Sequence, residues 1–329
     1  MKKILNAPAD YTDDMLRGIY ASHSDQVKYT ADCLRCYCSA KKTEGKVAIV
    51  TGGGTGHLPL FLGYVGEGML DGCAVGSVFQ SPSAEQIFEI TKEVNSGAGV
   101  LYLFGNYTGD TMNFEMSAEL CEMEDIETRI VIGADDVNSG APEVRRGVAG
   151  IFFLYKAAGA KAAMMGTLDE VAAAAQKAKD ATRTVGFALT PCVIPEVGHP
   201  NFVLKDGEMA MGMGIHGEPG IWNGPIMTSK QIAEESLKTL LGDMPLAEGE
   251  EIALLVNGLG GTSIEELYIL CGDVIAQLKE KGVRVYRSFV GEYATSMEMM
   301  GASISICRLD EELKEYLDYP VHTPFYTQV

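Results

Sequence analysis

Residues 46–57 read Lys-Val-Ala-Ile-Val-Thr-Gly-Gly-Gly-Thr-Gly-His. The apolar run Val47–Val50 has the length of a strand and gives way at once to glycines, and the pattern returns twice downstream. Cys73–Val75 leads into Gly76–Ser83, and Val100–Phe104 leads into Gly105-Asn-Tyr-Thr-Gly-Asp110. Short apolar runs, each followed by a Gly-, Ser- or Asn-containing turn and then a helical pattern, indicate strand, loop and helix units around a parallel sheet. Ser83 and Gln86 stand at capping-box spacing and predict the helix start after the second loop. Ile130–Ile132 is a further strand, followed by the acidic turn Ala134-Asp135-Asp136-Val137, and residues 150–179 read as two Ala-rich helices.

From about Thr184 the character changes. Pro191, Pro195 and Pro200 mark irregular chain, while Val185–Leu189, Glu251–Val256, Val283–Phe289 and Ala302–Cys307 supply strands. Ser263 and Glu266 repeat the capping-box spacing. A chain of 329 residues is long enough for two cores. The expectation is an α/β domain with a parallel or mixed sheet and the Gly-rich loops at 1–183, then a smaller α+β domain at 184–329.

Composition is ordinary for a globular protein, at 47% hydrophobic and 22% charged residues, but the net charge is -19. Such a surface repels phosphate backbones and anionic lipid, which excludes nucleic acid and membranes as expected partners. The basic start is interrupted by Asn6, Pro8 and Asp10 before an apolar signal region can form, and no run approaches the roughly 18 apolar residues of a membrane span. A cytoplasmic location is expected. Eight cysteines are too dilute for a secreted disulfide scaffold. Cys33-Leu-Arg-Cys36-Tyr-Cys38 opens like a zinc or iron–sulfur site, but no second Cys or His pair completes it, so free thiols and no metal are expected.

The loop Gly52–His57 fails both nucleotide templates. Gly56-His57-Leu58 lacks the Lys and hydroxyl of a Walker A loop, and Leu58-Pro59 stand where a dinucleotide fingerprint needs its last glycine. A cradle for a small, oxygen-rich, uncharged ligand fits better. His57 reads either as a catalytic imidazole or as a cap on the next helix. If the three strands are neighbours, His57, Ser81 and Asp110 face one crevice at the C-terminal ends of the strands, where ligands collect in open parallel sheets. A carboxylate and an imidazole there can take a proton from a substrate hydroxyl. Asp110 reads equally as the N-cap of a helix beginning near Met112. In Met211-Gly-Met-Gly-Ile-His216-Gly-Glu-Pro-Gly220, glycines and a proline imply positive-φ positions and an accessible imidazole. A neutral ring nitrogen in a dry site can add to a ketone or aldehyde carbon, whereas a turn histidine would bond a carbonyl instead.

Six segments in this order, Gly52-Gly-Gly-Thr-Gly-His57, Ser81-Pro82, Asn106-Tyr-Thr-Gly-Asp110, Arg145-Arg-Gly-Val-Ala149, Gly214-Ile-His-Gly-Glu-Pro-Gly220 and Pro320-Val-His-Thr-Pro324, resemble the K subunits of dihydroxyacetone kinases. The resemblance implies a two-domain K-type fold in a homodimer, with a short ketose held as a hemiaminal on His216. It further implies Asp110 as base for the substrate hydroxyl, His57 as its hydrogen-bonding partner, and Gly53, Gly54 and Ser81 in the pocket. No cofactor is implied on this chain: ADP or ATP and magnesium belong to a separate L-type subunit, recharged in many bacteria by an M-type phosphotransferase subunit. Some relatives of this kind bind the ketone but act as coactivators of a transcription regulator.

Three features depart from the family pattern. Leu58 replaces a Glu, the stretch Val137–Pro142 is shorter, and Gly105 replaces a Lys that contacts substrate. The last change removes a cation and several methylenes. It makes room for a longer hydroxyketone such as erythrulose, or weakens stabilisation of a transferring phosphoryl group.

Overall fold

The structure, a computed structural model, describes residues 2–30 and 32–329. The first half is built on six strands, β1 (Val27–Thr30), β2 (Cys33–Ser39), β3 (Ala48–Thr55), β4 (Gly72–Val78), β5 (Val100–Gly105) and β6 (Thr128–Gly133). They lie in the order β1-β2-β4-β3-β5-β6, with β4, β3, β5 and β6 mutually parallel and β1 and β2 an antiparallel edge. The helices are α1 (Tyr11–Ser22), α2 (Ala84–Val94), α3 (Thr108–Glu122), α4 (Ile151–Ala163) and α5 (Leu168–Asp180).

The second half has β7 (Thr182–Ala188), β8 (Glu208–Met211), β9 (Trp222–Pro225), β10 (Glu251–Gly258), β11 (Arg284–Gly291) and β12 (Gly301–Arg308), in the order β11-β10-β12-β7-β8-β9. Only β10 and β11 pair in parallel. Helices α6 (Ser229–Asp243) and α7 (Ile264–Glu280) cover it, and α8 (Glu311–Asp318) with the short strands β13 (Val321–His322) and β14 (Thr327–Gln328) ends the chain. The α/β architecture with a mixed sheet and a second, mostly antiparallel sheet is the expected one.

Strand alternation explains the layering. Along β5, Val100, Tyr102 and Phe104 pack with α2 and α3, while Leu101 and Leu103 point to the opposite face. Along β10, Ile252, Leu254 and Val256 pack with α6 and α7, while Ala253 and Leu255 join the same core as Leu101 and Leu103. That shared core encloses α4, whose residues are buried nearly all round. The central strands β3, β5, β10 and β12 are thus buried on both faces, which is why runs such as Val100–Phe104 and Ile252–Val256 are continuously apolar.

The capping boxes at Ser83 and Ser263 form, as do two more at Thr167 and Thr228 that start α5 and α6. One expectation needs correction. The glycines Gly52–Gly54 belong to β3 and Gly76 to β4, with Gly54 opposite Gly76 in register, so the expected loop begins only at Gly56. Cys33–Cys38 lie in β2; all eight cysteines are free thiols. Among the described residues no helix is long and apolar enough to cross a membrane, and no group of three His, Cys, Asp or Glu is placed to hold a metal.

Candidate functional site

Strands β4, β3 and β5 are neighbours, which places Ser81, His57 and Asp110 beyond the C-terminal ends of adjacent strands, and Asp110 lies near both Ser81 and His216. The loop between β8 and β9 brings His216 onto the same place from the second sheet. Its ring lies edge to face against His57 at 4.6 Å, Tyr107 at 4.7 Å and Phe79 at 5.2 Å between centroids. The imidazole is therefore walled by three rings rather than openly accessible, with 23% of its side chain exposed.

The glycines of β3 admit protein atoms. A β-carbon on Gly53 would overlap the Phe61 ring, and one on Gly54 would stand 2.6 Å from the Gln80 nitrogen. One on Gly56, whose φ is +100°, would stand 2.6 Å from the Phe79 ring. Phe79 itself has a left-handed backbone (φ 58°), a strained state for a bulky residue. What that strain secures is a ring stacked on His57 at 4.8 Å and 18°.

His57 is buried and its Nδ1 lies 2.8 Å from the Thr295 carbonyl oxygen, so Nδ1–H donates and Nε2 keeps its lone pair. Burial first, then the nearby His216, pulls its pKa down to about 3 and holds it neutral. The Thr295 and Met297 amides donate back to the His57 and Gly56 carbonyls, which fastens the end of β3 to the chain after β11. No α-helix follows His57, only the short 3-10 turn Leu62–Tyr64, so it caps none. Leu58 lines a cleft with Tyr11, Met15 and Met297 that includes neither His57, Asp110 nor His216.

Asp110 is the third residue of α3, not its N-cap; the cap position is Tyr107. Burial pushes its carboxyl up to about 6, against the opposing pull of the Ser81 hydroxyl and His216. The Ser81 hydroxyl lies against Gly109, where a β-carbon would approach it to 2.7 Å. Asp110 Oδ1, His57 Nε2 and Tyr107 Oη are all buried without a protein partner. Buried polar atoms are nearly always paired, so Asp110 Oδ1 and His57 Nε2 have hydrogen-bonding capacity to spare for a polar ligand.

His216 is held by its own loop, where Gly212 (φ +77°) and Gly217 (φ +80°) occupy left-handed positions. Its Nδ1–H donates to Glu218 Oε1 and its backbone N–H to Glu218 Oε2, both at 2.9 Å. Burial alone would raise the Glu218 carboxyl, but His216, by hydrogen bond and by charge, and after it the Arg146 charge prevail and hold it at about 2. Arg146 sits 3.8 Å from Glu218 and 2.7 Å from Asp136, and Gly214 leaves room for it, since a β-carbon there would stand 2.7 Å from Nη1. With the Glu218 carboxylate accepting from Nδ1–H, the second ring nitrogen of His216, Nε2, is left without a protein hydrogen bond among the described residues.

Gly105 ends β5, and a β-carbon there would lie 3.3 Å from the Gly147 oxygen, Ile151 and the Tyr107 ring. Sequence reasoning missed Glu218, Arg146, Phe79, Tyr107 and Thr295. Glu218 follows His216 by two residues, and Arg146 lies in a segment singled out above, so both carried a signal. Phe79 and Thr295 carried none.

The Dak1 domain model matches residues 17–325. The chain is 42% identical over 327 residues to the dihydroxyacetone-binding subunit of PTS-dependent dihydroxyacetone kinase 1 of Listeria innocua serovar 6a, covering 98% of this chain and 99% of that one. It is 41% identical over 330 residues to a D-erythrulose kinase of Mycolicibacterium smegmatis, covering 99% of this chain and 56% of that protein. Among solved structures, a dihydroxyacetone kinase operon co-activator superposes with a TM-score of 0.90 at 32% identity, over 96% of this chain and 98% of that one. Segment order, fold and full-length similarity agree: the chain belongs to the Dak1 domain family, together with the dihydroxyacetone-binding subunits of dihydroxyacetone kinases.

Proposed function

We propose that the chain is the substrate-holding subunit of a dihydroxyacetone kinase and carries dihydroxyacetone, or a related short ketose, as a hemiaminal on His216. The observation that carries this reading is the His216 Nδ1–Glu218 pair, which leaves the Nε2 lone pair as the reactive end of the ring. That lone pair forms the C–N bond as the carbonyl π bond opens onto oxygen. The oxygen takes a proton from water, and the proton shared by Nδ1 and Glu218 is the one released, so the adduct is neutral. Glycerol, with hydroxyls only, cannot form it.

Asp110, whose carboxyl loses its proton near pH 6, is the base for the terminal hydroxyl as its oxygen attacks phosphorus. His57 Nε2 accepts a hydrogen bond from a substrate hydroxyl, and Ser81 with the backbone of Gly53 and Gly54 completes the pocket. The phosphoryl group arrives on an L-type subunit that carries ADP or ATP and magnesium, recharged by an M-type phosphotransferase subunit. Support comes from relatives of equal length whose names are PTS-dependent, and from Arg146, whose charge is already engaged by Asp136 and Glu218. We further propose a cytoplasmic homodimer and a division of the chain near residues 183 and 184.

A second reading, a ketone-binding coactivator, is favoured by Gly105, which leaves the crevice without the family's lysine. The test mixes the protein with an L-type subunit, its phosphoryl source and a panel of ketoses, and follows [2-13C]dihydroxyacetone by NMR. The bound carbon should change from ketone to tetrahedral and a sugar phosphate should form. Asp110→Asn should keep the tetrahedral signal and lose transfer; unchanged turnover removes Asp110 from the mechanism. A tetrahedral adduct with no phosphorylation of any ketose establishes the coactivator reading.

A further inference from the structure

Glu218 is the group on which the His216 tautomer depends, and the residues around it decide its charge. From its own loop it meets the His216 ring and amide. From the segment after β6 it meets Arg146, 3.8 Å away. Tyr107 at the start of α3 and His57 at the end of β3 also stand close enough to feel its charge. Arg146 in turn is held by a second carboxylate, Asp136, at 2.7 Å, and by the Gly212 carbonyl at 3.3 Å. Of these neighbours Arg146 is the one permanent cation, and the guanidinium lies between two carboxylates that would otherwise repel one another.

We propose that Arg146 is a positioning residue for carbonyl capture: its guanidinium, 3.8 Å from Glu218, holds that carboxylate in place as the acceptor of the His216 Nδ1 proton and leaves Nε2 free for the ketone. This rests on the hemiaminal reading above. The chemistry follows from the donor inventory. A carboxylate can only accept, so it fixes the proton on Nδ1; a carboxylic acid can donate to Nδ1 and thereby moves the ring proton to Nε2. An imidazole protonated on Nε2 has no lone pair there for a carbonyl carbon. The same holds if the second proton lands on the ring itself, because the pair titrates as a unit. Either way, removing the adjacent cation makes the second proton bind more tightly. Capture then fails at a higher pH.

The position of Arg146 makes this more than local bonding. Its backbone N–H donates to the Ser139 hydroxyl and its carbonyl accepts from the Asp136 amide, so the loop 137–145 is closed at the neck by the residue that faces Glu218. Gly214, whose missing β-carbon makes space for both the Glu218 carboxylate and the Arg146 guanidinium, ties the loop of His216 to that neck.

The experiment measures the tetrahedral carbon signal of [2-13C]dihydroxyacetone against pH for the full chain, Arg146→Gln, Arg146→Lys and Asp136→Asn. Arg146→Gln should weaken capture by about 10-fold or more at neutral pH, the scale on which outer partners of a functional histidine act. Its acid limb should move up by about one pH unit, the usual effect of losing an opposite charge at this range. Arg146→Lys should restore part of both. Asp136→Asn should move the limb the other way, since it removes a negative charge from the cluster, and this keeps the test decisive if Arg146→Gln does not fold. An unmoved acid limb in Arg146→Gln, or an Asp136→Asn limb that stays put or rises, overturns the inference. Absence of a tetrahedral signal in the unmodified chain removes the hemiaminal reading itself, and this one with it.

Discussion

The imidazole rings of His57 and His216 meet edge to face, 4.6 Å between centroids, although one ends a strand of the first sheet and the other lies in a loop of the second. Two histidines so close cannot both be charged at low cost. The structure resolves the conflict by direction: His57 gives its proton to the Thr295 carbonyl and His216 gives its own to Glu218. The two remaining ring nitrogens have no protein hydrogen bond among the described residues, as the proposed hemiaminal would require.

That division predicts a pH signature in stability. The folded state holds His57 neutral down to about pH 3, whereas an unfolded histidine takes its proton near 6.5. Between those values the unfolded chain binds more protons, so the contribution of His57 is complete above about pH 6.5 and is lost as pH falls. Asp110 and Asp136, both raised to about 6, act with the opposite sign, gaining protons in the folded state as pH falls from 6 toward 4. The difference between proteins isolates the histidine. Urea titrations of the native chain and His57→Asn should show a stability gap that shrinks below pH 6.5, by at most about 1.4 kcal/mol per pH unit for one proton. A gap constant with pH means that His57 accepts a proton in the folded state.

The β3 glycines give a second prediction. Gly54→Ala sets a methyl 2.6 Å from the Gln80 nitrogen and 2.7 Å from the Phe79 α-carbon, backbone atoms with no freedom to rotate away. Overpacking of this kind costs about 1–3 kcal/mol, and it should push Phe79 off His57. The nearest atoms to a Gly53→Ala methyl belong to the Phe61 side chain rather than to backbone, so its cost should be smaller. Thermal unfolding ranks the two, and loss of the Phe79 ring-current shift on His57 protons reports the displacement. If Gly54→Ala keeps its stability and loses only ligand affinity, the glycine serves the ligand directly.

These glycines also show where sequence reading ends. Capping boxes such as Ser83 with Gln86 are local, and they are found in the structure where the spacing puts them. A glycine signals close approach, but not of what. Phe61 and Phe79 lie downstream and carry no mark of folding back over β3, so a strand was read as a ligand loop. The strands β1, β8 and β9 are four residues each, too short for a hydrophobic period to emerge, and the two at sheet edges, β1 and β9, are mostly half-buried or exposed. The adjacency of the strands that precede Ser81, His57 and Asp110 is legible because each residue follows a parallel strand, and the sheet order is the one that reading requires. Arg146 stands in a marked segment, but its pairing does not show there, because Glu218 lies 72 residues away in the chain.

The last prediction concerns ligand size and Gly105, where the resemblance implies a lysine. A β-carbon on Gly105 would lie 3.3 Å from each of three neighbours, one of them the Tyr107 ring that packs on His216, so a side chain fits with shifts of a few tenths of an ångström. Gly105→Lys should therefore fold, and its methylenes should pass beside Tyr107 into space that a fourth substrate carbon would use. One methylene in a pocket discriminates by about 10- to 200-fold, so the affinity ratio of dihydroxyacetone to erythrulose should rise by about 10-fold or more. The lysine would also add a cation to a crevice in which Arg146 is already paired twice, so transfer to dihydroxyacetone in the reconstituted kinase should hold or increase. Calorimetry with both ketoses measures the first effect and a coupled assay the second. If the ratio does not move, Gly105 is a packing residue and the size of the ketose is set on the other side of His216, by His57 and Asp110.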